Sequence, residues 1–239
     1  MRKYNWVIIS IIAVIVIMII GVMEVNQTDF VELEEDPVFS EPANKEVPSH
    51  IKFDTESGES IPVPISMIPD LETYLDGETD RWTEIERLQV EYLDWHSTND
   101  QYFILKYSCG NKICQLILVQ ISELNEVKTV YLGDGFFTGF EGIENTVMLR
   151  IGINEGNEVI RHQIVIVDLN TMHVQHPLNK NDDELYFNSP LYPITQFKWM
   201  TTDTIELHVA DVPDTTYESI QTWNKSDKLP VKSIKITIK

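Results

Sequence analysis

An uninterrupted apolar segment near the N-terminus constrains this chain more than any other feature. Residues 6–23 carry no charged side chain, and all of them except Ser10 and Gly21 are apolar. A helix of this length is roughly 27 Å long, close to the ~30 Å of a bilayer's hydrocarbon core. Because a chain in lipid must satisfy its own backbone hydrogen bonds, a helix is the structure expected there. We therefore predict a single transmembrane helix, an uncleaved signal anchor, over residues 6–23.

The charges on either side of this segment predict its orientation. Arg2 and Lys3 precede it, whereas Glu24 and Asp29 follow it. The positive-inside rule then leaves residues 1–5 as a cytoplasmic tail and everything after the segment outside the cytoplasm. A cleaved secretory signal peptide is an alternative, although its apolar region is ordinarily shorter. It gives the same location for the rest of the chain. A third possibility, a buried helix of a soluble protein, would not place the rest of the chain outside the cytoplasm.

The acidic residues of the chain are concentrated beside the apolar segment. The chain has 38 acidic and 18 basic residues, a net charge of −20, and acidic residues outnumber basic ones by 17 within residues 24–100. Such a balance excludes a nucleic-acid partner held through phosphate contacts. Residues 24–65 also contain five prolines. Acidic, proline-containing sequence of this kind predicts an extended stalk over residues 24–65, with a docking or cation-binding segment as the alternative.

The remaining residues, 66–239, predict a mainly β domain. Short runs rich in β-branched and aromatic residues alternate with turn-forming residues, which is typical of antiparallel strands and hairpins. The run 113–119 is apolar on both faces and predicts a central strand, whereas Ile205, Leu207 and Val209 alternate with polar residues and predict a strand with one face in water. The predicted strands are residues 102–107, 113–120, 128–132, 146–151, 162–168, 204–209 and 231–238.

Residues 69–95 are harder to interpret. Pro69 to Leu75 predicts a short helix with proline in its first turn. Residues 86–93 fit both a helical stripe and an alternating strand, and we favour the strand because it would lead into the next hairpin.

A weak internal repeat suggests how the strands are arranged. Residues 93–100 and 197–204 share an apolar residue, a tryptophan (Trp95 and Trp199) and a Thr-Asn/Asp ending before a strand, and residues 140–145 form a looser copy. The spacing is that of propeller blades, but three units are too few for a closed propeller. We therefore predict an antiparallel β meander, either an open, curled sheet or a partial, propeller-like one, with tryptophan packed between sheets.

One pair of residues is predicted to have a structural role. Cys109 and Cys114 flank a short loop between two predicted strands. Outside the cytoplasm a close pair of this kind most often forms a structural disulfide, which we predict here. Free thiols or a redox-active bridge remain the alternatives.

No metal, cofactor or catalytic site is predicted. His173 and His176 would point to opposite faces of a strand, and the acidic stretches 76–80 and 179–184 match no calcium-binding loop. The chain also lacks the common motifs of serine hydrolases, zinc proteases and nucleotide-binding loops.

Together these features predict a membrane-anchored extracytoplasmic β domain with a binding or scaffolding role at the cell surface. Its predicted partners are the lipid bilayer, through residues 6–23, and a membrane or cell-surface protein. A cell-surface hydrolase acting through carboxylates is one alternative, and an accessory or sensor subunit of a membrane complex is the other.

Overall fold

A computed structural model describes residues 46–95, 99–156, 158–178 and 183–238 of the chain. The predicted tail, transmembrane helix and first part of the stalk (residues 1–45) lie outside the described residues. No helix within the described ranges is long and apolar enough to cross a bilayer. From Val47 onward the chain forms one compact unit.

Three antiparallel sheets follow one another along this unit. The first is a hairpin, the second is a meander of seven strands in sequence order, and the third is a meander of three strands. The fold is therefore mainly β and antiparallel, as predicted, and the described strands close no barrel. The strands are β1 (His50–Asp54), β2 (Ser60–Pro64), β3 (Gln89–Leu93), β4 (Gln101–Tyr107), β5 (Cys114–Ile121), β6 (Val127–Ile143), β7 (Thr146–Gly156), β8 (Val159–Asp168), β9 (His173–Gln175), β10 (Ile194–Thr201), β11 (Thr204–Ala210) and β12 (Val231–Thr237).

The β1–β2 hairpin lies where the sequence predicted the end of a stalk, so the predicted stalk extends too far. Ile51 pairs with Val63 across the hairpin, and both side chains are buried with Phe53 in the core. Pro62 and Pro64 are compatible with this strand because β2 pairs on one side only, and an edge strand tolerates residues without an N–H donor. The alternation of apolar residues therefore produces a β-hairpin here despite the acidic, proline-containing composition.

Three α-helices connect the strands. Helix α1 (Pro69–Gly77) begins at proline, as predicted, and buries two leucines against the β1–β2 hairpin. Helix α2 (Arg81–Glu86) precedes β3, so the ambiguous region contains both a helix and the favoured strand. Helix α3 (Tyr217–Asn224), which the sequence analysis did not predict, is capped by the side chain of Thr216. Short 3₁₀ turns cover Ile65–Met67 and Asp183–Tyr186.

Strand β6 is far longer than the predicted strand 128–132 because it belongs to two halves of the large sheet. Its first part pairs with β5 and its second part, from Phe136, pairs with β7. Gly135 ends the part that pairs with β5, and Gly139 lies in the part that pairs with β7. They adopt φ values of 151° and 147°. Such values suit glycine, and a β-carbon at Gly135 would also lie 2.4 Å from the Ile151 side chain. The strand can therefore pass from one half of the sheet into the other.

Apolar residues fill three core clusters. The first lies between the β1–β2 hairpin with α1 and one face of β4 and β5. The second contains residues from the opposite face of β4 and β5 and from β7 and β8. The third joins the other face of β7 and β8 to β11 and β12. Strands β5 and β7 thus contribute to a core on each face, which accounts for the apolar run at 113–119 and confirms β5 as a central strand.

The repeated tryptophans lie in corresponding hairpins and contact the same neighbour. Trp95 follows β3 and Trp199 lies near the end of β10, so each precedes the next strand of its sheet. A β-carbon on Gly142 would lie 1.7 Å from the Trp95 ring, so that ring packs directly on the backbone of the β6–β7 hairpin. The Trp199 indole N–H donates to the carbonyl of Glu141 at 3.3 Å. Both tryptophans therefore join sheet segments, whereas the propeller-like arrangement stays a prediction.

Candidate functional site

The two cysteines lie at disulfide distance, as the sequence predicted. Strand β4 ends shortly before Cys109 and β5 begins at Cys114, and their Sγ atoms are 2.10 Å apart. The bond closes the loop between two strands whose side chains fill the first two cores. It covalently closes this end of the β4–β5 hairpin. Its two cysteines are distant in sequence from the residues of the cavities described below.

Among the described residues, the acidic and histidine candidates do not assemble a metal site. Asp76 pairs with Arg81 at 2.7 Å, and Asp80 accepts hydrogen bonds from Thr83 at the start of α2. Residues 179–182 of the second acidic stretch lie outside the described residues. Across the described ranges, no group of three or more His, Cys, Asp or Glu side chains could hold a metal ion.

A groove lies instead between the large sheet and the third sheet. It consists of two adjoining cavities of about 330 and 370 Å³ that share Arg150 and Thr195. We call the pair the Arg150 groove. One cavity reaches toward α3 and the other follows β10 and β11. Its walls therefore come from the consecutive strands β6, β7 and β8 and from the later elements β10, β11 and α3.

Arg150 crosses the groove from β7 and is held by hydrogen bonds. Its Nε donates to the Thr138 hydroxyl at 2.8 Å, and its Nη1 donates to the Ile194 carbonyl at 2.8 Å. Longer bonds of 3.3 Å reach the carbonyls of Thr195 and Thr138. The guanidinium also lies 5.1 Å from the centroid of the Phe197 ring, a cation–π distance. Burial lowers the pKa of Arg150, which nonetheless stays charged.

His162 lies on β8, beside Arg150, and is held in one tautomer. The backbone N–H of Ile194 donates to its Nδ1 at 3.0 Å, so Nδ1 is the acceptor and the ring proton resides on Nε2. Burial, assisted by the positive charge of Arg150, lowers the pKa of His162 to about 3. The imidazole is therefore neutral at physiological pH and presents an N–H donor.

The second cavity carries an ion pair. Glu206 on β11 accepts a hydrogen bond from Ser233 at 2.7 Å and pairs with Lys198 at 2.9 Å. These two contacts lower the pKa of Glu206 to about 2. Glu206 therefore remains a carboxylate, which suits a structural ion pair. A general acid in glycoside hydrolysis needs the opposite shift.

The first cavity is mainly apolar away from Arg150 and His162. Helix α3 packs against the start of β8, where Asn224 donates to the carbonyl of Glu158 at 3.3 Å. The Trp223 indole N–H donates to the Pro230 carbonyl at 2.6 Å, so its hydrogen-bonding capacity is used and the ring presents carbon to its surroundings. The apolar lining is formed by Ile160, Pro193, Ile220, Trp223 and Leu229.

The sequence analysis placed Arg150 and His162 in predicted strands but assigned neither a role. One signal was present, since Arg150 is a charged residue inside the apolar run 146–151. A lone arginine in a strand with two buried faces needs polar partners. Those partners lie around residue 138 on the adjacent strand β6 and around residue 194 on the distant strand β10, so their identity required the structure.

Comparisons with protein-family models, with curated proteins and with solved structures find no match to this chain. The fold and the groove define it as a mainly β protein with an amphipathic cavity between two antiparallel sheets.

Proposed function

We propose that the chain is a membrane-anchored, extracytoplasmic β domain that binds its target in the Arg150 groove. The proposal takes its location from the apolar segment 6–23 and the charges that flank it. The groove is the single observation that supports binding as the activity. Concave, mostly apolar cavities with a few convergent polar groups are the usual form of binding sites.

The state of the ionisable groups in the groove favours binding over catalysis. His162 is neutral and uses Nδ1 to accept the Ile194 amide, so this nitrogen is unavailable as a general base. Glu206 is engaged by Lys198 and Ser233 and stays ionised. Arg150 is fixed by backbone carbonyls and the Thr138 hydroxyl. Fixed donors in an apolar cavity suit recognition of a polar group on a bound molecule.

Photo-crosslinking in intact cells tests whether the groove is the binding face. A photoreactive benzophenone amino acid replaces Leu229, an exposed residue that lines the groove. The matched control replaces Leu124, an exposed leucine in the turn between β5 and β6. After irradiation, the mass added to the purified full chain is measured by mass spectrometry. We expect an adduct of defined mass at position 229 and none at 124. Equal adducts at both positions, or none at 229, would contradict the proposal.

A further inference from the structure

Arg150 and His162 meet at one residue of the third sheet. The carbonyl of Ile194 accepts from Arg150 at 2.8 Å, and its N–H donates to His162 at 3.0 Å. Both side chains line the first cavity of the groove, on the same side as Ile194. The edge strand β10 thus fixes a cation and a neutral N–H donor next to each other.

The positive charge of Arg150 has only neutral partners in the described part of the chain. Among the described residues, its hydrogen bonds go to three backbone carbonyls and one hydroxyl, and no carboxylate there lies within ion-pair distance of it. These bonds leave one of its five N–H donors, on Nη2, without an acceptor. A half-buried guanidinium without a counter-charge favours an anion as an additional partner.

His162 contributes a second donor toward the same cavity. Because Nδ1 accepts from Ile194, the proton lies on Nε2, which has no hydrogen-bond partner among the described residues. His162 is only partly buried and lines the cavity. An acceptor entering the cavity can therefore receive this N–H without displacing an existing bond.

The size and lining of the cavity limit what else the bound molecule contains. About 330 Å³ corresponds to roughly ten water molecules at ~30 Å³ each. Beyond the two donors, much of the lining is carbon from Ile160, Ile220 and Trp223, and Thr195 and Asn224 add polar groups. Exposed Glu158 lies at the rim and disfavours a second negative charge on the ligand. A molecule with one anionic end and a short apolar body fits these limits.

We propose that the first cavity of the Arg150 groove binds a small amphipathic monocarboxylate. One carboxylate oxygen accepts from His162 Nε2 and the other lies toward the free N–H of Arg150. The apolar body packs against Ile220, Trp223 and Leu229. A planar carboxylate has two acceptor oxygens for these two donors. The inference rests on the proposed binding function of the groove and names the ligand class for it.

Calorimetric titration with hexanoate tests the proposal on the full chain in lipid nanodiscs, with empty nanodiscs as the blank. If residues 6–23 do not anchor the chain in the bilayer, the protein is titrated in buffer instead. The outcome of the hexanoate titration therefore does not depend on the predicted membrane anchor. We expect saturable binding with a Kd of about 0.1–1 mM. Hexanamide and hexylamine match hexanoate in length but lack its carboxylate. They should therefore bind at least about tenfold more weakly than hexanoate.

Two variants assign the binding to this cavity without removing Arg150, whose loss could unfold the chain. His162→Asn keeps an acceptor for the Ile194 amide, but its own amide N–H donors lie on a shorter side chain and do not reach the position of Nε2, so hexanoate binding should weaken about tenfold. Leu229→Asn removes an apolar wall, and asparagine tolerates the φ of 41° at this position. We expect it to weaken binding about threefold. His50→Asn, at an exposed position at the start of β1, is the matched control and should bind like the unmodified chain.

Three results would overturn the proposal. These are no hexanoate binding up to about 10 mM, hexanamide binding as tight as hexanoate, and unchanged hexanoate affinity in His162→Asn. If hexanoate fails while the photo-crosslink at Leu229 forms, the groove binds a target of another class, and only the ligand assignment is wrong.

Discussion

His162 is an ionisable residue whose pKa the folded chain shifts strongly. Its pKa falls from 6.5 to about 3 because the ring is buried and Arg150 lies beside it. The folded chain therefore keeps His162 neutral in acid that protonates the unfolded chain. Linkage between protonation and folding then makes the free energy of unfolding depend on pH.

Acid should destabilise the chain through His162. Between pH 6.5 and about 3 the unfolded state binds one more proton here than the folded state, so stability falls as the pH is lowered. Lowering the pH from 7 to 5 should cost about 2 kcal/mol at this residue. Denaturant unfolding at both pH values checks this. His162→Asn should lose about that much less between pH 7 and 5, and an equal loss in both chains would contradict the assignment.

At the scale of elements, hairpins dominate the fold and their packing is close. The Trp95 ring covers the backbone of the β6–β7 hairpin at Gly142, and Trp199 bonds to the same hairpin through the Glu141 carbonyl. Only a residue without a side chain allows this approach. The β6–β7 hairpin therefore contacts both tryptophans of the sequence repeat.

Gly142→Ala should destabilise the chain by about 1–3 kcal/mol, because its β-carbon would overlap the Trp95 ring. Chemical denaturation measures the change. Gly77→Ala is the matched control, since a β-carbon at the end of α1 meets nothing within 4 Å. We expect that control to be neutral or slightly stabilising. In a Trp95→Leu background the cost of Gly142→Ala should shrink, and simple additivity of the two changes would argue against this contact.

Element by element, the sequence predicted what depends on local pattern. The apolar runs identify most strands of the two meanders, and Pro69 marks the start of α1. The β1–β2 hairpin was missed because its alternation at Ile51 and Phe53 is short and lies within acidic, proline-containing sequence. Helix α3 was missed because its apolar residues, Ile220 and Trp223, occupy only one narrow stripe. The Arg150 groove depends on contacts between strands that are distant in sequence, which no local pattern encodes.

At the scale of the whole molecule, the acidic residues of the chain can be assigned to particular parts of the structure. Residues 24–100 carry most of the net negative charge, yet about 70% of these 77 residues, from Val47 onward, belong to the compact unit. The acidic excess therefore extends over the turn between β1 and β2 and over α1 and α2 as well as the residues before them. Arg150 and His162 lie outside this acidic part of the chain, in the second half of the sequence.

The most direct test of the central claim is the side of the membrane on which the β domain lies. Ser57→Cys places a thiol in the exposed turn between β1 and β2, and Asn5→Cys places one in the predicted cytoplasmic tail. Both chains are treated in intact cells with a membrane-impermeant thiol reagent, with the unmodified chain as the blank. Ser57→Cys should be labelled before lysis and Asn5→Cys only after it. Protection of Ser57→Cys until lysis would contradict an extracytoplasmic domain.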